Sequence, residues 1–123
     1  PYRTESIPMN TSLSVQAIDT DVCVAAQLMP EAMAEAALAG FRSVINNRPD
    51  FEGGPSQPTS AQIATAAQAA GLEYRHLPVS PTVQTAEEAA ALAALLKSLP
   101  RPVLLFCRSG GRSTRLYQLA SQA

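Results

Sequence analysis

Lysine is almost absent from this chain of 123 residues: Lys97 is the only one, so the remaining cations are all arginines. Tryptophan is missing, and aromatic residues make up only 5%. Nine Lys+Arg stand against 10 Asp+Glu, so no basic excess exists to neutralise a phosphate backbone, which argues against nucleic-acid binding. No apolar run approaches the ~18 residues that a membrane-spanning helix needs. The N-terminal Pro1-Tyr2-Arg3-Thr4-Glu5 lacks the apolar centre of a signal peptide. No membrane partner is therefore expected, and the expected location is cytoplasmic. Two cysteines do not make a disulfide scaffold. Together with a single histidine they are too few for an ordinary His/Cys zinc site, so no metal and no cofactor is expected. What remains, 46% hydrophobic, fits one compact domain over residues 1–123.

Short apolar blocks alternate with alanine-rich segments. Residues 21–25, 41–46 and 74–79 read as strands, and Pro78 marks the end of the last of these. The run Val103-Leu104-Leu105-Phe106 reads as a central strand buried on both faces. Residues 30–38 read as a helix, with Pro30 at its start and Gly40 past its end. Thr59 with Gln62, and Thr85 with Glu88, have the spacing of capping boxes and predict two further helices, ending near Gly71 and Pro100. The second of these places Ala89, Leu92, Leu95 and Leu96 on one stripe. From Arg112 onward the chain reads as helix. Such alternation predicts an α/β fold: a parallel sheet with crossover helices on its faces and a site at the carboxyl ends of the strands.

One loop stands apart, Cys107-Arg108-Ser109-Gly110-Gly111-Arg112-Ser113, between the most apolar strand and a helix. A helix N-terminus carries partial positive charge and unpaired N–H groups, and a tight loop entering it can aim several of them at one point. Gly110 and Gly111 permit backbone angles and close approach denied to other residues. A cysteine at the focus ionises more readily than a free thiol and becomes a nucleophile. Arg112 closes the loop with a fork suited to an anion, and Ser113 can donate to the thiolate. Glycines and arginines beside a core cysteine serve no packing purpose, so Cys107 reads as reactive. Cys23, between two valines, reads as an inert core residue.

The loop CRSGGRS resembles that of single-domain rhodaneses, the sulfurtransferases, and is related in form to the C-x5-R-[ST] loop of cysteine-dependent phosphatases. Four residues separate Cys107 from Arg112, giving six in all, the sulfurtransferase size. The rest of the chain resembles a different family. FRSVINNRPD (residues 41–50), with Gln27 upstream and YRHLPV (74–79) downstream, is similar to the beta-lactamase-hydrolase-like phosphatase-like domains, DUF442. The likeness extends over residues 12–120. It implies a dual-specificity-phosphatase-like fold carrying a rhodanese-type loop. Members occur alone or fused to a metallo-beta-lactamase-fold persulfide dioxygenase, which makes such an enzyme an expected partner, fused or separate. Two departures from the phosphatase pattern stand out: Phe106 replaces the His before the nucleophile, and Pro78-Val79-Ser80-Pro81-Thr82 holds no general-acid Asp.

The expected activity is therefore sulfur transfer. Cys107 takes sulfane sulfur from thiosulfate or a glutathione persulfide and passes it to a thiol, sulfite or cyanide. Cys107 and Arg112 are the expected catalytic residues, and Arg108, Ser109, Gly110, Gly111 and Ser113 the anion-binding loop. Arg48 and Asp50 are possible substrate contacts, Arg48 adding charge over the loop's mouth, while Asp50 and Glu52 can pair with Arg48 or Arg108. A phosphatase working through a phosphocysteine, and a non-catalytic persulfide- or anion-binding module, are the alternatives. His76 reads as structural, and Gln27 has no assigned role.

Overall fold

The computed structural model describes residues 13–122. Five strands form one sheet in the order β1 (Gln16–Asp19), β2 (Val22–Ala25), β5 (Val103–Phe106), β3 (Ser43–Asn46), β4 (Glu73–His76). The last four are parallel, with β5 in the middle: Val22 pairs with Val103, and Val103 in turn with Ser43. β1 corrects the all-parallel expectation, because it pairs antiparallel with β2 at the edge. Asp21, read as the start of a strand, sits instead in the tight turn between them with φ +62°.

Each central strand is buried on both faces, which accounts for the uninterrupted apolar run of β5. Its alternate residues serve two cores. Leu104 and Phe106 pack with Cys23, Val44, Met33 of α1 (Ala32–Leu38) and Ile63 of α2 (Ser60–Ala69). Val103 and Leu105 pack with Ile45, Leu92 and Leu96 of α3 (Ala86–Ser98), and Leu116 of α4 (Gly111–Ser121). Helices thus cover both faces, as the α/β reading required.

Both capping boxes form. Thr59 and Thr85 each accept from the backbone N–H three residues on, and the Gln62 and Glu88 side chains answer back to the caps. α1 starts later than Pro30 suggested and has no side-chain cap. β4 ends at His76, two residues before Pro78. Beyond it Leu77 and Val79 still donate backbone N–H groups to Asn46 and Asn47, so the sheet's edge continues into the connection. Because four strands run parallel, the loops following β2, β3, β4 and β5 all emerge at one edge. Among the described residues, no helix is long and apolar enough to cross a membrane.

Candidate active site

Beyond Phe106 the chain leaves the sheet through Cys107 and enters α4 at Gly111. The Cys107 side chain is fully buried, and Gly110 N–H donates to its Sγ at 3.0 Å. Burial by itself raises a thiol's pKa. Here the N–H and hydroxyl of Ser113, with the N–H groups of Gly110 and Ser109, outweigh it and hold Cys107 below its ordinary value of 9.0. Cys23 shows what burial does without such donors: it is pushed up to about 11, by desolvation first and then by Asp21.

Of the two loop glycines, only Gly110 needs to be one for its backbone. Its φ is +95°, and it caps α4 in the left-handed region. A Cβ at Gly111 would meet the end of the Arg115 side chain at 3.3 Å and Ser109 Oγ at 3.7 Å, an ordinary contact. Gly110→Ala should cost ~1–2 kcal/mol through the left-handed strain. It should also lower activity by rotating the N–H that faces Cys107, while Gly111→Ala does far less. Thermal melts and initial rates of both variants check this.

Arg112 is not free to fork around a ligand as the sequence suggested. It is only 5% exposed, and its Nη1 and Nη2 each donate to Glu52 at 3.0 Å, with Nη1 also reaching Val79 O at 3.2 Å. Glu52 accepts from Arg48 Nε as well, at 2.9 Å. Arg48 Nη1 continues the chain of contacts to Gln27 Oε1 at 3.1 Å. His76 Nε2 donates to Arg48 O at 2.8 Å, because a carbonyl can only accept, so the histidine is structural. The Arg112 hydrogen bonds, with the one from Arg48, outweigh desolvation and hold the Glu52 carboxyl below its ordinary 4.5.

Of the two residues expected on this loop, Arg48 lines the cleft, mostly buried beside Glu52. Asp50 pairs with no cation among the described residues; its Oδ1 accepts the Ser60 N–H at 2.7 Å and so finishes the first turn of α2. Glu52 pairs with Arg48, as one reading allowed, but its second partner is Arg112 and not Arg108.

Gln27, Arg48, Glu52, Arg108, Arg112 and Met29 are among the residues lining a cleft of about 610 Å³ above the loop. Three arginines and one carboxylate leave it positive, and Arg108 stands exposed at its rim. A hollow of similar volume lies on the loop's other side, against β2 and α4. Its lining offers one charged group, Arg115, so the cleft with three arginines is the more positive of the two.

Sequence reasoning missed the contact of Gln27 with Arg48 and the pairing of Glu52 with Arg112. Glu52 follows Arg48 at a spacing of four, a weak local signal, but its bond to Arg112 spans 60 positions and has no local signature.

Residues 14–123 match the family described as beta-lactamase hydrolase-like protein, phosphatase-like domain. The chain is 35% identical over 102 residues to the Beta-lactamase hydrolase-like protein of Agrobacterium fabrum, covering 83% of this chain but 23% of that protein. It thus spans less than a quarter of that relative's length. A candidate phosphatase from Neisseria meningitidis Z2491 superposes with a TM-score of 0.76 at 30% identity, covering 82% of this chain and 71% of its own. The active form of Tk-PTP shares the fold, with a TM-score of 0.63 at 19% identity over 89% of this chain and 81% of its own. On the match over almost its whole length, the chain belongs to the phosphatase-like domain family of the beta-lactamase hydrolase-like proteins.

Proposed function

We propose that the domain is a sulfurtransferase in which Cys107 carries sulfane sulfur. The Cys107 thiolate attacks the outer sulfur of thiosulfate or of an organic persulfide. A new S–S bond forms, the old one breaks, and sulfite or a thiolate leaves with the electron pair. A thiol, sulfite or cyanide then attacks the outer sulfur of the Cys107 persulfide and releases the cysteine thiolate. The converging N–H groups of the loop hold the negative charge at each stage. No proton need be supplied.

The observation that carries this reading is Glu52. It is the only carboxylate lining the cleft among the described residues, and two arginines hold it ionised. The connection after β4, residues 77–84, contains no Asp or Glu. Cleavage of an alkyl phosphate needs a proton for the departing alkoxide, whereas sulfur transfer releases groups that are already stable anions.

The second reading, a phosphatase forming a phosphocysteine, is favoured by the relatives. One neighbour in fold is described as a candidate phosphatase and the family as a phosphatase-like domain, and on likeness alone this reading is the better supported. Fold does not fix chemistry, however, and the residues at the site weigh toward sulfur. Mass spectrometry after incubation with thiosulfate, together with a cyanide-coupled turnover assay, separates the readings. A one-sulfur adduct on Cys107 with turnover supports sulfur transfer. An adduct without turnover points to a binding module. No adduct, with hydrolysis of alkyl phosphates, establishes the phosphatase.

Arg112→Lys tests the clamp within the same assay. Lysine keeps the charge but cannot reach both Glu52 oxygens and Val79 O together. Turnover with thiosulfate should fall on the order of 100-fold, as expected when a reacting group is misplaced. Wild-type kinetics would show that the arginine does not order the site.

A further inference from the structure

Asn47, the first residue after β3, is fully buried. Its backbone N–H donates to Phe106 O at 2.8 Å, and its carbonyl accepts the Val79 N–H at 3.0 Å. Its side chain is engaged at both ends: Nδ2 donates to Leu77 O at 2.9 Å, and Oδ1 accepts from Ser113 Oγ at 2.8 Å. The first contact settles the amide's orientation, because the Leu77 carbonyl can only accept. Oδ1 must therefore face Ser113, and only the hydroxyl hydrogen can fill that contact. A serine has one such hydrogen. Yet the same hydroxyl, itself fully buried in the first turn of α4 beside the Gly110 N–H that meets the sulfur, is among the groups that hold the Cys107 thiol below its ordinary value.

We propose that Asn47 and the Cys107 sulfur compete for the single hydroxyl hydrogen of Ser113. While Cys107 is protonated or carries its transferred group, the hydrogen points to Asn47 Oδ1, and Ser113 offers the sulfur only a lone pair. When the sulfur becomes a free thiolate, the hydroxyl turns and donates to it. No bond other than hydrogen bonds is made or broken, and the proton stays on Ser113. Asn47 is thus a positioning residue: it touches no substrate and acts through Ser113. Its acceptor strength sets how much of the hydroxyl's stabilisation reaches the nucleophile. The arrangement requires only that Cys107 be the nucleophile, so it holds for sulfur or phosphoryl transfer alike.

The other charged groups at the site are Arg112 of α4, Arg108 of the loop, and Arg48 and Glu52 from the connection after β3, with His76 bonded to Arg48 O. None is altered in the test, which follows the thiolate absorbance of Cys107 against pH. Cys23, pushed up to about 11, titrates apart from it. Asn47→Leu keeps the bulk and removes the acceptor. The Cys107 proton affinity should then fall about three- to tenfold, the worth of one hydrogen bond. Ser113→Ala should raise it. The double variant should match Ser113→Ala, because Asn47 then has nothing to compete for. An unchanged or raised midpoint in Asn47→Leu, or additive effects in the double variant, overturns the proposal. Should Asn47→Leu fail to fold, the native protein carries the same test. The Asn47 side-chain amide resonance should shift with the thiolate midpoint, and should stay still in Ser113→Ala. An amide blind to Cys107 ionisation overturns the proposal. Neither readout involves turnover, so the result is independent of the assigned activity.

Discussion

Cys107→Ser should reduce sulfur transfer to the uncatalysed background while leaving the fold intact. An oxygen can accept the N–H groups that now face Sγ, so the loop keeps its partners. A hydroxyl cannot form a persulfide, however, and it ionises far less readily than a thiol. The control is Cys23→Ser. Cys23 is fully buried in the core packed on α1 and α2, and burying a hydroxyl there should cost about 1–3 kcal/mol. Its turnover should match the native protein at temperatures where it stays folded. The measurement pairs thermal melts with initial rates and intact mass after thiosulfate. Equal loss of activity in two folded variants would mean that the cysteines act as a redox pair, and the single-nucleophile mechanism would be wrong.

Glu52→Gln should also damage catalysis, although Glu52 is not the nucleophile. In the native protein its carboxylate takes two bonds from Arg112 and one from Arg48, with the three side chains mostly shielded from solvent. A glutamine has one accepting oxygen and no charge, so two guanidinium groups are left facing each other across the cleft wall. Arg112 then shifts away from the loop, and kcat/KM should fall on the order of 100-fold. The pH dependence gives a second readout. The native carboxyl titrates below 4.5, its ordinary value and the one expected of the unfolded chain. The clamp therefore stabilises the fold fully above about 4.5. That contribution is lost as the pH falls through the depressed native value. The native protein should lose melting temperature in this acid window more steeply than Glu52→Gln does. Parallel acid profiles with native-like kinetics would show that the clamp orders nothing.

The local parts of the structure were legible in the chain. Both capping boxes are read from residues three apart, and both form because their donors and acceptors belong to the same helical turn. β5 was legible because four consecutive apolar residues suit a strand covered on both faces. The loop from Cys107 to Arg112 was legible because the groups that face the sulfur come from the loop itself and the first turn of α4. β1 was not legible: it is a half-exposed edge strand of mixed polarity, made by pairing with β2 rather than by a pattern of its own. Asp50 was read as facing the substrate because it follows a strand on the correct edge, but position along the chain does not say where a side chain turns. The backbone is left-handed at Phe51, with φ +67°, between Asp50, aimed at α2, and Glu52, aimed at the cleft.

The sequence by itself determined the α/β alternation, the placing of the candidate site at the carboxyl ends of the strands, and the loop that leads from Cys107 into a helix there. These follow from periodicity, turn chemistry and the glycines before a helix N-terminus, all of short range. Only the tertiary structure decided what Arg112 does. Its guanidinium meets Glu52 across 60 positions of chain because parallel β3 and β5 bring their following loops together. In the same way Asn47 reaches Ser113 across 66 positions and Leu77 across 30. Such contacts exist only once the sheet is assembled. A fork suited to a ligand and a fork already held by a carboxylate are spelled alike in the chain; the packing of the loops distinguishes them.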